Sequence, residues 1–129
     1  MRVVLQRVKE CNVKVDNKIV GEISQGFLLL LGVKDGDLQQ DAIKLAKKIS
    51  GLRIFTDNDD KMNLSLADID GSVLVVSNFT LYADCSHGRR PSFIKAARPE
   101  ISEPLYEFFC EQLNENGISN VQRGIFGAD

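Results

Sequence analysis

Gly26-Phe27-Leu28-Leu29-Leu30-Leu31-Gly32-Val33 is the stretch that decides the fold. It is a continuous apolar run closed by glycines, too short to span a bilayer. Such a run reads as a strand buried on both faces, since a half-exposed strand would alternate polar and apolar residues. Upstream, residues 2 to 33 as a whole read as strands. Val13 and Val15 alternate with Lys14 and Asp16, and Asp16-Asn17-Lys18 supplies turn chemistry before Ile19-Val20. Downstream, Lys34-Asp35-Gly36 forms a loop, and Asp37 reads as a helix N-cap with Gln40 completing a variant capping box. Leu38, Ala42, Leu45, Ala46 and Ile49 then share one face of a helix, with Lys47 and Lys48 at its negative end and Gly51 as its left-handed stop.

The remaining chain continues the pattern. Leu52-Arg53-Ile54-Phe55 reads as a short strand, and Ser72 to Ser77 as a buried one running on through Phe79 and Leu81. A second helix is expected from near Ser102, with Pro104 in its first turn, Leu105, Phe108, Phe109 and Leu113 as its stripe and Gly117 as its end. Val121 to Phe126 reads as a last strand. There is no repeat, linker or low-complexity tract. The expectation is one α+β domain with helices covering a sheet on one side.

Composition bounds the function without naming it. The 129 residues suit a single domain, and 43% hydrophobic side chains suffice for a core without staples. Sixteen basic residues against 18 acidic give a net charge of -2, which excludes coating of nucleic acid or membrane by bulk charge but permits a local basic patch. Cys11, Cys85 and Cys110 are odd in number and widely spaced, so no disulfide framework is expected. The opening Met1 to Arg7, interrupted by two arginines, lacks the apolar region of a signal peptide. These features point to a reducing, cytoplasmic protein.

Several stretches invite chemistry. Asp57-Asn58-Asp59-Asp60-Lys61 resembles a calcium loop, but Lys61 and Met62 stand where an EF-hand needs an acceptor and a glycine, so a solvated turn is the better reading. Cys85 and His87 could pair as nucleophile and base, yet Asp84-Cys85-Ser86-His87-Gly88 has the composition of an exposed turn. With His87 the sole histidine, no other Ser-His-Asp triad is available, and a hydrolase built on this chain would draw on backbone donors or on its substrate. Gly88-Arg89-Arg90-Pro91-Ser92-Phe93-Ile94-Lys95 places cations beside an aromatic, and Arg98 extends the patch. Arginine can hold phosphate and phenylalanine can stack on a base; the competing reading is a solvated loop whose Phe93 plugs the core. Ser77-Asn78-Phe79-Thr80-Leu81-Tyr82-Ala83-Asp84 is rich in hydroxyls and amides at a strand end, where ligands bind. Thr80 fits a nucleophile or substrate ligand as well as it fits a β-former.

Taken together, these last two stretches make the chain resemble the D-aminoacyl-tRNA deacylase family. The resemblance covers nearly the whole chain: Met1 to Val8, Leu30-Leu31-Gly32-Val33, Leu52 to Phe55, Lys61-Met62-Asn63-Leu64, Ser77 to Asp84, Gly88 to Phe93, and Phe126-Gly127-Ala128-Asp129. It implies a deacylase-like α+β fold, a single domain of mostly antiparallel and mixed sheets in a barrel-like layered arrangement with two main helices on one side. It implies a homodimer that hydrolyses the ester of D-aminoacyl-tRNA, and possibly of mischarged glycyl-tRNA, with no metal, cofactor or membrane involved. Ser77, Asn78, Phe79 and Thr80 would form the catalytic pocket. Main-chain N–H groups near Phe79 and Thr80 would stabilise the oxyanion, with help from the tRNA's own 2′-hydroxyl. Arg89, Arg90, Phe93 and Lys95 would receive the terminal adenosine and nearby phosphates.

Two departures qualify the resemblance. The family usually has glutamine where this chain has Asn78, so altered pocket geometry is expected; the alternative is a catalytically impaired tRNA-binding dimer. The family pattern also continues past the Gly127 to Asp129 motif into a Gly-cis-Pro segment that rejects L-amino acids. Pro91, Pro99 and Pro104 all lack a preceding glycine, so residues 1–129 read as one domain, C-terminally incomplete, with weaker rejection of L-aminoacyl-tRNA.

Overall fold

The structure is a computed structural model covering residues 1–129. The apolar run forms β4 (Gly26–Gly32), preceded by β1 (Arg2–Val8), β2 (Cys11–Val15) and β3 (Lys18–Ile23). Then come α1 (Gln39–Gly51), β5 (Phe55–Thr56), β6 (Met62–Leu64), β7 (Ser72–Ser77), a 3₁₀ turn (Phe79–Tyr82), α2 (Pro99–Glu115) and β8 (Val121–Arg123). One mixed sheet has the order β1-β4-β7-β8: β1 lies antiparallel to β4, whereas β7 is parallel to both β4 and β8.

The sheet's two faces are covered differently. Phe27, Leu29 and Leu31 of β4, with Val73 and Val75 of β7, are buried against Ala42, Ala46 and Ile49 of α1 and Tyr106, Phe109 and Leu113 of α2. Full burial of each large side chain contributes roughly 1.5–3 kcal/mol, so this layer holds the fold. The β2–β3 hairpin lies on the other face, close enough that a Cβ at Gly21 would sit 2.7 Å from Leu74 Cδ1. Both helices are therefore on one side, as expected, but the sheet is open: β1 and β8 are its two edges, and the other sheets have two strands each. The barrel-like arrangement is corrected to an open sheet between a helical layer and a hairpin.

Local expectations were altered where two neighbouring residues competed for one role. Leu38, not Asp37, is the N-cap of α1; its N–H donates to the Asp41 carboxylate at 2.8 Å, and its side chain is exposed. Asp37 instead closes the preceding turn by accepting from the Lys34 N–H at 2.7 Å, and it faces the Met1 amino group at 2.6 Å. Gly51 lies inside α1, which stops at an extended Leu52. The strand expected over 52–55 shrinks to Phe55–Thr56, and the last strand to Val121–Arg123. Helix α2 begins three residues before Ser102: Pro99 takes the first position, where its missing N–H costs nothing, and Pro104 lies within the helix. Asp16 and Asn17 both adopt positive φ, as the hairpin turn requires, and Gly117 ends α2 at φ +96.

Gly26 shows how closely β4 and β7 approach. A Cβ there would lie 1.7 Å from the Ser72 carbonyl oxygen. Gly26→Ala is expected to prise the parallel pair apart and cost about 3 kcal/mol, read as a lower midpoint in urea unfolding.

Candidate functional site

The C-terminal ends of the parallel strands converge on a cleft of about 580 Å³. Leu31 and Val33 line it from the end of β4, Ser77 from the end of β7, and the segment Phe126–Asp129 beyond β8 closes another side. The start of α2 adds Pro99, Ser102 and Tyr106. A parallel sheet presents its loops and free backbone groups at this end, the usual place for a ligand.

Instead of continuing β7 through Phe79 and Leu81, the chain turns at Asn78. The Asn78 N–H still donates to Leu31 O at 2.8 Å, as an extension of the sheet would. Its side-chain Oδ1 then accepts from the Thr80 N–H at 3.1 Å and from the Thr80 hydroxyl. Asparagine readily bonds the backbone two residues on, and that local bond outcompetes the ladder and winds Phe79–Tyr82 into a 3₁₀ turn. Thr80 therefore has both its N–H and its hydroxyl engaged by Asn78. The Phe79 N–H, first in the turn, has no acceptor within the chain.

Ser77, Asn78 and Phe79 line the cleft, whereas Thr80 is exposed outside the lining. Phe93 reaches it from the next loop and meets Phe79 edge-to-face, with ring centroids 5.2 Å apart at 72°. Both rings remain substantially exposed, at 57% for Phe79 and 39% for Phe93, so Phe93 is no core plug. Arg98 is the cation in the lining; Arg89, Arg90 and Lys95 are exposed beside it without entering it. An antiparallel bridge between Asp84 and Ser92 brings this basic loop back against the turn. The Ser86 hydroxyl and N–H hold the Asp84 carboxyl below the usual aspartate value. Cys85 and His87 are exposed in that loop and absent from the cleft.

The sequence reading gave no role to Tyr106 or to Phe126–Asp129. Tyr106 lies outside the stripe read from the sequence, yet it is buried and its hydroxyl donates to Val75 O at 3.0 Å, holding α2 to the middle of β7. Burial raises its pKa well above the usual tyrosine value, so it acts as a neutral donor. Cys110, one turn further on, is likewise pushed up by burial, to about 12, and is an inert core thiol. The lining role of Phe126–Asp129 carries no local signal beyond the Phe-Gly-Ala-Asp motif.

Residues 4–129 match the family model described as D-Tyr-tRNA(Tyr) deacylase, and the chain belongs to that family. It is 52% identical to a D-aminoacyl-tRNA deacylase of Exiguobacterium sp. over 99% of this chain and 86% of the relative. It is equally 52% identical to the enzyme of that name from Thermus aquaticus, over 99% and 84%. A solved structure described as the c-Myc DNA unwinding element binding protein superposes with a TM-score of 0.93 at 34% identity, over 100% of this chain and 87% of that one. A "probable eukaryotic D-amino acid tRNA deacylase" shares the fold at 18% identity and TM-score 0.81, over 98% and 89%.

Removing the turn's cap tests its construction. Asn78→Ala is expected to lower stability by about 1 kcal/mol in urea unfolding, whereas Asn78→Asp keeps an acceptor for the Thr80 N–H and loses less.

Proposed function

We propose that this chain hydrolyses the ester between a D-amino acid and the terminal ribose of tRNA, releasing free amino acid and tRNA. The observation that carries the reading is the cleft itself: an unbonded Phe79 N–H stands in a lining without histidine or cysteine, in a chain 52% identical to named deacylases. Water would add to the ester carbonyl carbon, and the Phe79 N–H would donate to the oxygen as it becomes an oxyanion. The carbon–oxygen bond to the ribose would then break, its oxygen taking the proton that the water gives up. With no histidine or cysteine in the lining, the 2′-hydroxyl of the same ribose would assist that proton's passage. Thr80, its hydroxyl already turned to Asn78, serves as a strut of the turn rather than as a nucleophile.

The terminal adenosine would rest against the Phe79–Phe93 pair, with Arg98 beside it and Arg89, Arg90 and Lys95 on the neighbouring phosphates. A second copy of the chain would cover apolar side chains around the cleft, where Ile94 is 88% exposed and Ile125 54%. No helix is long and apolar enough to cross a membrane, and the proposed place of work is the cytoplasm, where tRNA is charged. The identity to named deacylases gives the impaired tRNA-binding alternative no support.

Single-turnover assays with D-tyrosyl-tRNA and L-tyrosyl-tRNA test the activity. Hydrolysis of the D-ester is expected; tRNA bound but left acylated in both cases would sink the reading. Arg89→Ala should weaken tRNA binding and reduce the slope of log K against log salt by about one. Unchanged affinity at every salt concentration would remove Arg89 from the tRNA surface.

A further inference from the structure

We infer that Arg2 is a positioning residue for this hydrolysis: it clamps the far end of the 3₁₀ turn and so fixes where the Phe79 N–H stands. The inference rests on the deacylase reading for its kinetic consequence, but the clamp itself is a matter of geometry.

A four-residue 3₁₀ turn has few internal hydrogen bonds and relies on outside support. Its near end is held by Asn78. Its underside lies directly on β4, where a Cβ at Gly32 would sit 3.0 Å from Leu81 Cβ, 3.2 Å from Asn78 O and 3.3 Å from Tyr82 Cδ2. The far end is held by Arg2, which stands opposite Gly32 in the β1–β4 pairing. Its Nη1 donates to Leu81 O at 2.6 Å, while the guanidinium carbon lies 4.6 Å from the centroid of the Tyr82 ring. One planar cation thus grips two consecutive residues, by a hydrogen bond to a carbonyl at the negative end of the turn and by a face contact with a buried ring.

Nothing else in the chain claims that cation. The two ion pairs of the structure are Met1 with Asp37 and Arg123 with Glu107, so Arg2 has no carboxylate partner. Nor does it line the cleft, and its influence on the reaction passes through the turn. The lever is short, with Phe79 only two residues from the gripped carbonyl. A misplacement of about 1 Å at a reacting group can cost about 100-fold in rate.

The test compares wild type, Arg2→Ala and Arg2→Lys by steady-state hydrolysis of D-tyrosyl-tRNA and by amide hydrogen exchange. Arg2→Ala is expected to lower kcat by about 10- to 100-fold with KM changed less than about twofold, because the donor matters most to the transition state. Arg2→Lys can still reach Leu81 O but loses the planar stacking, and should recover part of the rate. Exchange of the Leu81 and Ala83 amides, which close the turn on Asn78 O and Thr80 O, should quicken in Arg2→Ala while β4 and α2 stay protected. Unchanged kcat, or a raised KM at unchanged kcat, would overturn the inference, the latter making Arg2 a tRNA contact. If Arg2→Ala does not fold, Arg2→Lys alone decides between slowed and unchanged kcat. If wild type hydrolyses neither ester, the deacylase reading and the catalytic role fall together. Local exchange then decides the clamp by itself, with unaltered exchange overturning that too.

Discussion

The parallel pairing of β4 with β7 is the constraint on which the remaining structure depends. Six residue pairs, from Gly26 with Ser72 to Leu31 with Ser77, fix the register. That register aligns Phe27, Leu29 and Leu31 with Val73 and Val75 beneath the helices. It also brings the two strand ends level, so Leu31 O can accept from the Asn78 N–H and start the 3₁₀ turn from a defined point. A slip by one residue would reverse the buried face and move Asn78 off its anchor. Gly26 permits the pairing to begin, since its Cα and the Ser72 carbonyl leave no room for a side chain.

From that anchor the site is built largely of backbone. The turn presents an unbonded N–H at Phe79, its side chains are partly consumed in supporting one another, and the two phenylalanine rings form a wall. In the proposed hydrolysis an oxyanion needs donors fixed before charge develops, and a main-chain N–H on a short braced turn would meet that need without any titratable nucleophile. The asparagine at position 78 fits this economy. Its short stem keeps the amide on its own turn, where it braces Thr80.

Much of the fold was legible because it depends on local pattern. The apolar run of β4, the α1 periodicity through Ala42, Ala46 and Ile49, and the Asp16-Asn17 turn each specify their own geometry. Errors arose where two candidates for one role lay within a few residues. Asp37 and Asp41 both suit the start of α1, and it is the bond from Leu38 N–H to Asp41 that sets it; Asp37 is taken by Lys34 N–H and the Met1 amino group. Pro99 and Pro104 both suit a first turn, and burial of Ser102, Leu105 and Tyr106 favours the longer helix. The chain beyond Ser77 has the apolar alternation of a strand, yet a single asparagine side chain diverts it into a turn.

The sequence by itself determined the α+β class, the principal strands and helices, and the family, because periodicity and ordered motifs are written in neighbouring residues. It also marked Ser77 to Thr80 and the Gly88 to Lys95 loop as candidate chemical stretches. Only the tertiary structure decided that the sheet stays open, that Phe79 and Phe93 meet edge-to-face, and that Phe126–Asp129 and Tyr106 complete the cleft. It alone showed Arg2 reaching Leu81 O, 79 positions along the chain. These are contacts between segments remote in sequence, set by the register of β1, β4 and β7, and no local pattern encodes them.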